Sequence, residues 1–291
     1  MMLKVKEILM LRRGLLITAV LFAPLGAQGQ DRPVQWQRTS DATEIPITVF
    51  HSPQSANLPT AETMLKGEWQ FEISHRFIPP FKNGPDALWG LDGPINNRLG
   101  IAYAVHDRGM VTLQRTNLND NLDLNAKVRL FEAGRESTPV MVAVVGGVAW
   151  NGDAPSLLDG STRPWQYYGQ LTANVMLGER FALGVVPSFL RNPLLNTAQA
   201  QNTYSVGIMG QLYLSPHVSV LGEWNISEER VGQEYDAGTF GIELETGGHF
   251  FKIMVSNSVR LNPAQFMAGT PFSFDPGEWR LSFNITRLLQ L

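Results

Sequence analysis

The sequence predicts an all-β fold, an antiparallel transmembrane β-barrel of about twelve strands with short periplasmic turns and longer extracellular loops. Three observations carry this. From Glu68 onward the chain alternates apolar and polar residues with period two, as strands with two different faces do. Short turns alternate with long connections along the chain. No apolar run of helix-spanning length follows residue 29, and only helices and closed barrels satisfy every backbone group in lipid.

The N-terminus fixes the expected compartment. Lys4, Lys6, Arg12 and Arg13 precede an apolar stretch over residues 14–27, and Ala27 and Gly29 place small residues at −3 and −1 of a cleavage site before Gln30. Residues 1–29 therefore read as a cleaved signal peptide, and the destination is the outer membrane. The uncleaved alternative is an N-terminal anchor. The chain has no cysteine, which excludes disulfides, thiolate metal sites and a Cys nucleophile. Without residues 1–29 the formal charge is 19 minus 25, or −6, which argues against a nucleic-acid partner.

Residues 30–66 read as a periplasmic lead-in, polar and without clean periodicity, with Pro33, Pro46, Pro53 and Pro59. This lead-in is either tucked into a barrel mouth or available to a periplasmic partner. Residues 67–291 read as the barrel. Trp69, Phe71 and Ile73 oppose Gln70, Glu72 and Ser74 on the first strand. Leu99, Ile101 and Tyr103 follow on the second, and Leu122, Leu124, Ala126 and Val128 oppose Asp123, Asn125, Lys127 and Arg129 on the fourth. Similar patterns run from Gln170 to Val175, Tyr204 to Leu214, Val218 to Asn225, Thr239 to Glu245 and Trp279 to Thr286. Less regular strands fit near residues 110–115, 140–148, 181–189 and 250–255.

Tight turns fall at residues 106–109, 177–180, 215–217 and 246–249, with a slightly longer one at 132–137, rich in the Gly, Pro and Asp that turns require. Between them lie Pro- and Gly-rich connections at 78–97, 151–164, 191–202, 227–236 and 258–277; the short connection 116–121 departs from the pattern. A soluble β-sandwich also alternates, with its apolar face inward. Strands of about ten residues favour the membrane barrel. So do aromatics near strand ends, such as Trp150, Trp165 and Trp279.

The stretch from Phe50 to Leu130 contains HSPQSANLPTAETMLKGEWQFEISHRF, GPDALWGLDGP, RLGIAYAVHDRGMVTL and NLDLNAKVRL. It resembles a family of uncharacterised bacterial outer-membrane β-barrel proteins, catalogued as a domain of unknown function. The resemblance implies a barrel and an outer-membrane location, and it supplies no functional residues.

Chemistry is sparse. There is no HExxH, phosphate loop or nucleophile elbow, and no metal or cofactor is expected. Ser74 and His75 are neighbours that point to opposite faces, so they do not form the Ser–His pair of an outer-membrane phospholipase. The chain reads as a non-enzyme. Glu72, Asp123, Lys127, Arg129, Glu223, Glu243, Glu245, Lys252 and Arg280 are expected to face the lumen, as a bridged network or as the lining of a channel. The loop 78–97, with Phe81, Asp86, Trp89 and Asp92, is a candidate constriction or lid, or else an outer loop packing on its neighbours. The reading is a narrow pore or passive transport protein for small solutes. The alternatives are a non-conducting platform with a periplasmic partner, and a lipid-modifying enzyme. Expected partners are outer-membrane lipid and, during biogenesis, the periplasmic chaperone and barrel-assembly machinery.

Overall fold

The structure, a computed structural model, describes residues 47–135, 138–230 and 232–290. The expected signal peptide and the first part of the lead-in lie outside the described residues. Twelve strands form one closed antiparallel barrel: β1 (Glu68–Phe77), β2 (Ile95–His106), β3 (Gly109–Thr116), β4 (Asn121–Arg135), β5 (Thr138–Asn151), β6 (Trp165–Leu177), β7 (Phe181–Arg191), β8 (Asn202–Ser215), β9 (Val218–Ser227), β10 (Ala237–Glu245), β11 (His249–Ser256) and β12 (Arg280–Gln290). Each strand pairs with its neighbours in sequence. β1 closes the ring on β12, in register from Glu68 opposite Gln290 to Arg76 opposite Ser282. Closure leaves no unpaired edge, which is the condition for strands to cross lipid.

The two faces settle the choice between a soluble and a membrane barrel. The outward residues are apolar and exposed, for example Leu99, Ile101, Leu124, Leu171, Ile208 and Ile253. The inward residues are polar and buried, for example Gln70, Glu72, Ser74 and Arg76 on β1 alone. A soluble sandwich has the opposite arrangement. Aromatic contacts between neighbouring strands, such as Trp69 with Tyr103 and Phe189 with Tyr204, lie near strand ends, where interfacial girdles belong.

The connections β2–β3, β4–β5, β6–β7, β8–β9 and β10–β11 are short and share one end of the barrel. The opposite end carries the longer connections. The first of these, residues 78–94, packs at the rim against the 3-10 turn Pro276–Glu278. Phe81 donates its backbone N–H to Trp279 O at 2.8 Å, and Lys82 pairs with Glu278. The Lys82 ammonium, hydrogen-bonded to Glu278, holds that carboxyl below the usual carboxylate range.

Depth along the outer face sets the cost of a misplaced charge. Arginine in place of Leu171, midway along β6, is expected to destabilise the barrel by about 2–4 kcal/mol, whereas Leu177→Arg at the strand end costs about 0–1 kcal/mol. Urea titrations of folding into lipid vesicles measure both; equal costs would contradict a lipid-facing β6.

Candidate functional site

The interior of the barrel is occupied. Residues 47–66 enter from the short-turn end, reach the middle of the lumen and return. Val49 is fixed near that end by the Tyr213 hydroxyl, which donates to Val49 O at 3.0 Å. Lys66, back at the same end, donates its N–H to Asp107 Oδ1 at 2.8 Å. Between them Phe50, Ala56, Leu58 and Ala61 are buried. Pro53 and Pro59 and the polar residues around them keep the segment out of helix and sheet. Two backbone bonds close it on itself, Ser55 N–H to Leu58 O at 2.9 Å and Thr60 N–H to Pro53 O at 3.1 Å.

A buried backbone that is neither helix nor sheet must find other partners. Side chains of the barrel wall supply them. One Glu223 oxygen accepts three successive N–H groups, from Ala56, Asn57 and Leu58 at 3.2, 3.0 and 3.1 Å, and the other accepts Asn57 Nδ2 at 2.6 Å. Lys127 Nζ donates to the carbonyls of Pro53, Thr60 and Glu62. Lys252 Nζ donates to Gln54 O and Ser55 O at 2.7 and 2.6 Å and lies 3.1 Å from Glu243. Glu243 also meets His51 Nδ1 at 2.8 Å. Asn174 Oδ1 accepts the Ala61 N–H at 2.5 Å, and Asn284 Nδ2 donates to Ala56 O at 2.9 Å. Within the segment, Glu62 accepts the N–H groups of Val49 and Phe50, each at 3.0 Å. Leu58 seats over Gly207, where a Cβ would come within 2.6 Å of its side chain.

A second segment closes the long-loop end. Residues 258–275, between β11 and β12, fold inward with a single helical turn, Pro263–Phe266. Arg98 donates to Leu261 O at 2.5 Å while pairing with Glu72. Asn262 Nδ2 reaches Asn121 Oδ1 at 2.5 Å, and Gln265 Nε2 reaches Leu118 O at 2.8 Å. Phe266 belongs to one buried cluster with Phe50, Leu58, Met141 and Met209, so the two segments share an apolar core in mid-lumen. Beside it a polar cavity of about 50 Å³ lies among Asn57, Gln70, Glu72, Lys127, Gln170 and Pro263. That is room for one or two waters.

The nine charges expected in the lumen divide by position. Lys127, Glu223, Glu243 and Lys252 face inward and engage the inward segments or each other, as described above, and Glu72 faces inward and pairs with Arg98. Asp123 is also buried, accepting from Gln114, Asn125 and the Tyr168 hydroxyl. The other three lie toward the ends. Arg129 sits with Glu132 and Asp107 O at the short-turn rim. Glu245 accepts the Gly248 N–H at 2.8 Å and meets His217. Arg280 lies over the Phe272 ring and donates to Ile78 O at 2.9 Å. In the loop 78–97, Phe81 is half-buried while Asp86, Trp89 and Asp92 are exposed, and the segment that crosses the lumen at that end is 258–275 instead. Arg76 and Arg98, fully buried, are not among the nine charges expected from the sequence. Their alternation with Glu72 and Ser74, and with Asn96, could have placed them on the inner face. Ser74 faces inward and His75 packs outward against Phe283, so the two are not a catalytic pair.

Residues 50–289 match the family described as "Membrane bound beta barrel domain (DUF5777)". The chain belongs to this family. The match includes nearly all of the inward N-terminal segment as well as the strands. No curated protein matches this DUF5777 barrel in sequence. Among solved structures, the outer membrane channel COG4313 from Pseudomonas putida F1 is 13 % identical, with 79 % of this chain and 98 % of that one covered, at a TM-score of 0.47. The NanC porin is 7 % identical, with 76 % and 98 % covered, at 0.46. The KdgM porin, solved in complex with disordered oligogalacturonate, is 5 % identical, with 77 % and 99 % covered, at 0.45.

The Glu223 contact makes a specific prediction. Glu223→Ala leaves three adjacent N–H groups buried without an acceptor, at a cost of about 1–3 kcal/mol each before relaxation. Hydrogen exchange at Ala56, Asn57 and Leu58 should accelerate at least about tenfold, with the amides of β6 and β8 unchanged. Unchanged protection at those three residues would show that the carboxylate does not hold the segment.

Proposed function

We propose that this DUF5777 barrel is an outer-membrane protein for passive passage of small solutes, with residues 47–66 as a plug that shuts it. The observation that supports this is how the plug is held. The barrel wall behind it is polar along much of its length, and its charged side chains bind the plug through backbone groups. Water can replace those partners once the plug leaves, so the emptied wall is compatible with a hydrated channel. An interior meant only to be filled could be built more stably from apolar side chains.

The non-conducting platform is the second reading, and one observation favours it. Phe50, Leu58 and Phe266 pack continuously with Met141 and Met209 across the middle of the lumen. On that reading the plug is permanent, and the short-turn end serves a periplasmic partner.

A reversible cross-link separates the two. The chain has no native cysteine, and Ala61 N–H bonds directly to Asn174. The double variant Ala61→Cys, Asn174→Cys should be silent in a planar bilayer when oxidised. On reduction it should show conductance events, as the variant lacking residues 47–64 should show persistently. Silence of the reduced variant and of the deletion, with both proteins folded, would defeat the pore and leave the platform. Equal conductance in the oxidised and reduced forms would defeat the plug as the gate.

A further inference from the structure

At the long-loop end a separate cavity of about 310 Å³ opens between the connections 117–120, 152–164 and 192–201, Gly232 and Gln233, and the inward segment 258–275. Arg260 lines it. Buried cations elsewhere in the barrel have evident partners: Arg98 has Glu72, Lys252 has Glu243, and Lys127 has three carbonyls. Arg260 is partly buried, yet among the described residues its side chain makes a single hydrogen bond, from Nη1 to Gln265 O at 3.3 Å, and no carboxylate pairs with it. Burial alone pushes its pKa down to about 10, so it remains charged at neutral pH. A guanidinium offers five donors in a planar fork that matches a carboxylate.

The rest of the lining supplies the other half of a recognition surface. Gln233 and Gln265 border the same cavity, and each has a buried side-chain oxygen with no partner. Leu194 and Pro193 add apolar surface. A charged fork, amides with unused hydrogen-bonding capacity and an apolar wall suit a molecule that is anionic at one end and hydroxylated along a carbon chain or ring. The volume lies at the lower end of the range for small-molecule sites.

We propose that this cavity is a binding site for a small hydroxylated carboxylate, with Arg260 as the residue that takes the carboxylate and Gln233 and Gln265 taking hydroxyl groups. The proposal does not depend on whether the lumen conducts.

Titration calorimetry on the full chain in detergent at low ionic strength tests it, with gluconate and glucuronate as probes and sorbitol as the uncharged analogue. Saturable binding of at least one acid at one per chain is expected, with sorbitol at least about tenfold weaker. Arg260→Gln should lose about tenfold or more in affinity, and Gln233→Ala a few-fold. Absence of saturable binding by both acids, sorbitol binding equal to them, or unchanged affinity in folded Arg260→Gln would overturn the proposal. Should that variant fail to fold, phenylglyoxal modification of the wild-type chain decides, read by peptide mass spectrometry. Protection of Arg260 by the bound acid supports the site, and equal modification with and without the acid overturns it.

Discussion

The interior of this barrel is governed by one requirement: a backbone that belongs to neither helix nor sheet, once buried, must have its N–H and C=O groups paired. Residues 47–66 have almost no regular structure of their own, so the pairing is delegated to the wall. Glu223 gathers three N–H groups, and Lys127 and Lys252 gather carbonyls. The charges inside the barrel thus act as caps for an irregular segment. A carboxylate surrounded by N–H groups and an ammonium surrounded by carbonyls are also satisfied themselves, which removes the usual objection to burying a charge.

That arrangement bears on how firmly the segment is held. Fixing a backbone costs about 1–2 kcal/mol per residue. A helix or hairpin offsets this cost through bonds within itself. Here the offset comes from wall contacts that are far away in sequence, such as Ala56 with Asn284, 228 positions apart. Such contacts are gained together and lost together. Loss of one anchoring charge is expected to loosen the neighbouring residues of the segment, because its own backbone bonds are few.

The barrel itself was legible in the sequence because its two faces are read locally. Gln70, Glu72 and Ser74 against Phe71 and Ile73 is a statement about adjacent residues, and β-pairing with the next strand preserves it. The same rule expects Glu72, Asp123, Lys127, Glu223, Glu243 and Lys252 on the inner face, and these side chains are buried there. It could not say which depth they occupy, and so Arg129, Glu245 and Arg280 were grouped with them although they sit toward the ends. The inward segments were harder. Loops 78–97 and 258–277 both contain Gly, Pro and large apolar residues, and nothing local distinguishes the one that enters the lumen. Trp89 lies exposed at the rim while Phe266 is buried against Leu58, a residue more than 200 positions away. What decides is the complementary surface: Arg98, Asn121 and Asn96 offer polar partners to the backbone and side chains of 258–275.

The two inward segments also differ in what they touch. The N-terminal segment is gripped by charged side chains from β4 and from the consecutive strands β9, β10 and β11, so its seating reads the positions of two separate parts of the ring. The segment 258–275 is gripped mostly by neutral amides, with Arg98 and Arg280 the exceptions, and it leaves Arg260 toward the outer cavity with little to bind. A charge-poor attachment leaves fewer strong bonds to break if the segment shifts. Phe266 and Leu58 pack in the same apolar cluster, so each segment forms part of the surface on which the other rests. The two segments are therefore joined at the centre of the lumen by packing, independently of the strand register.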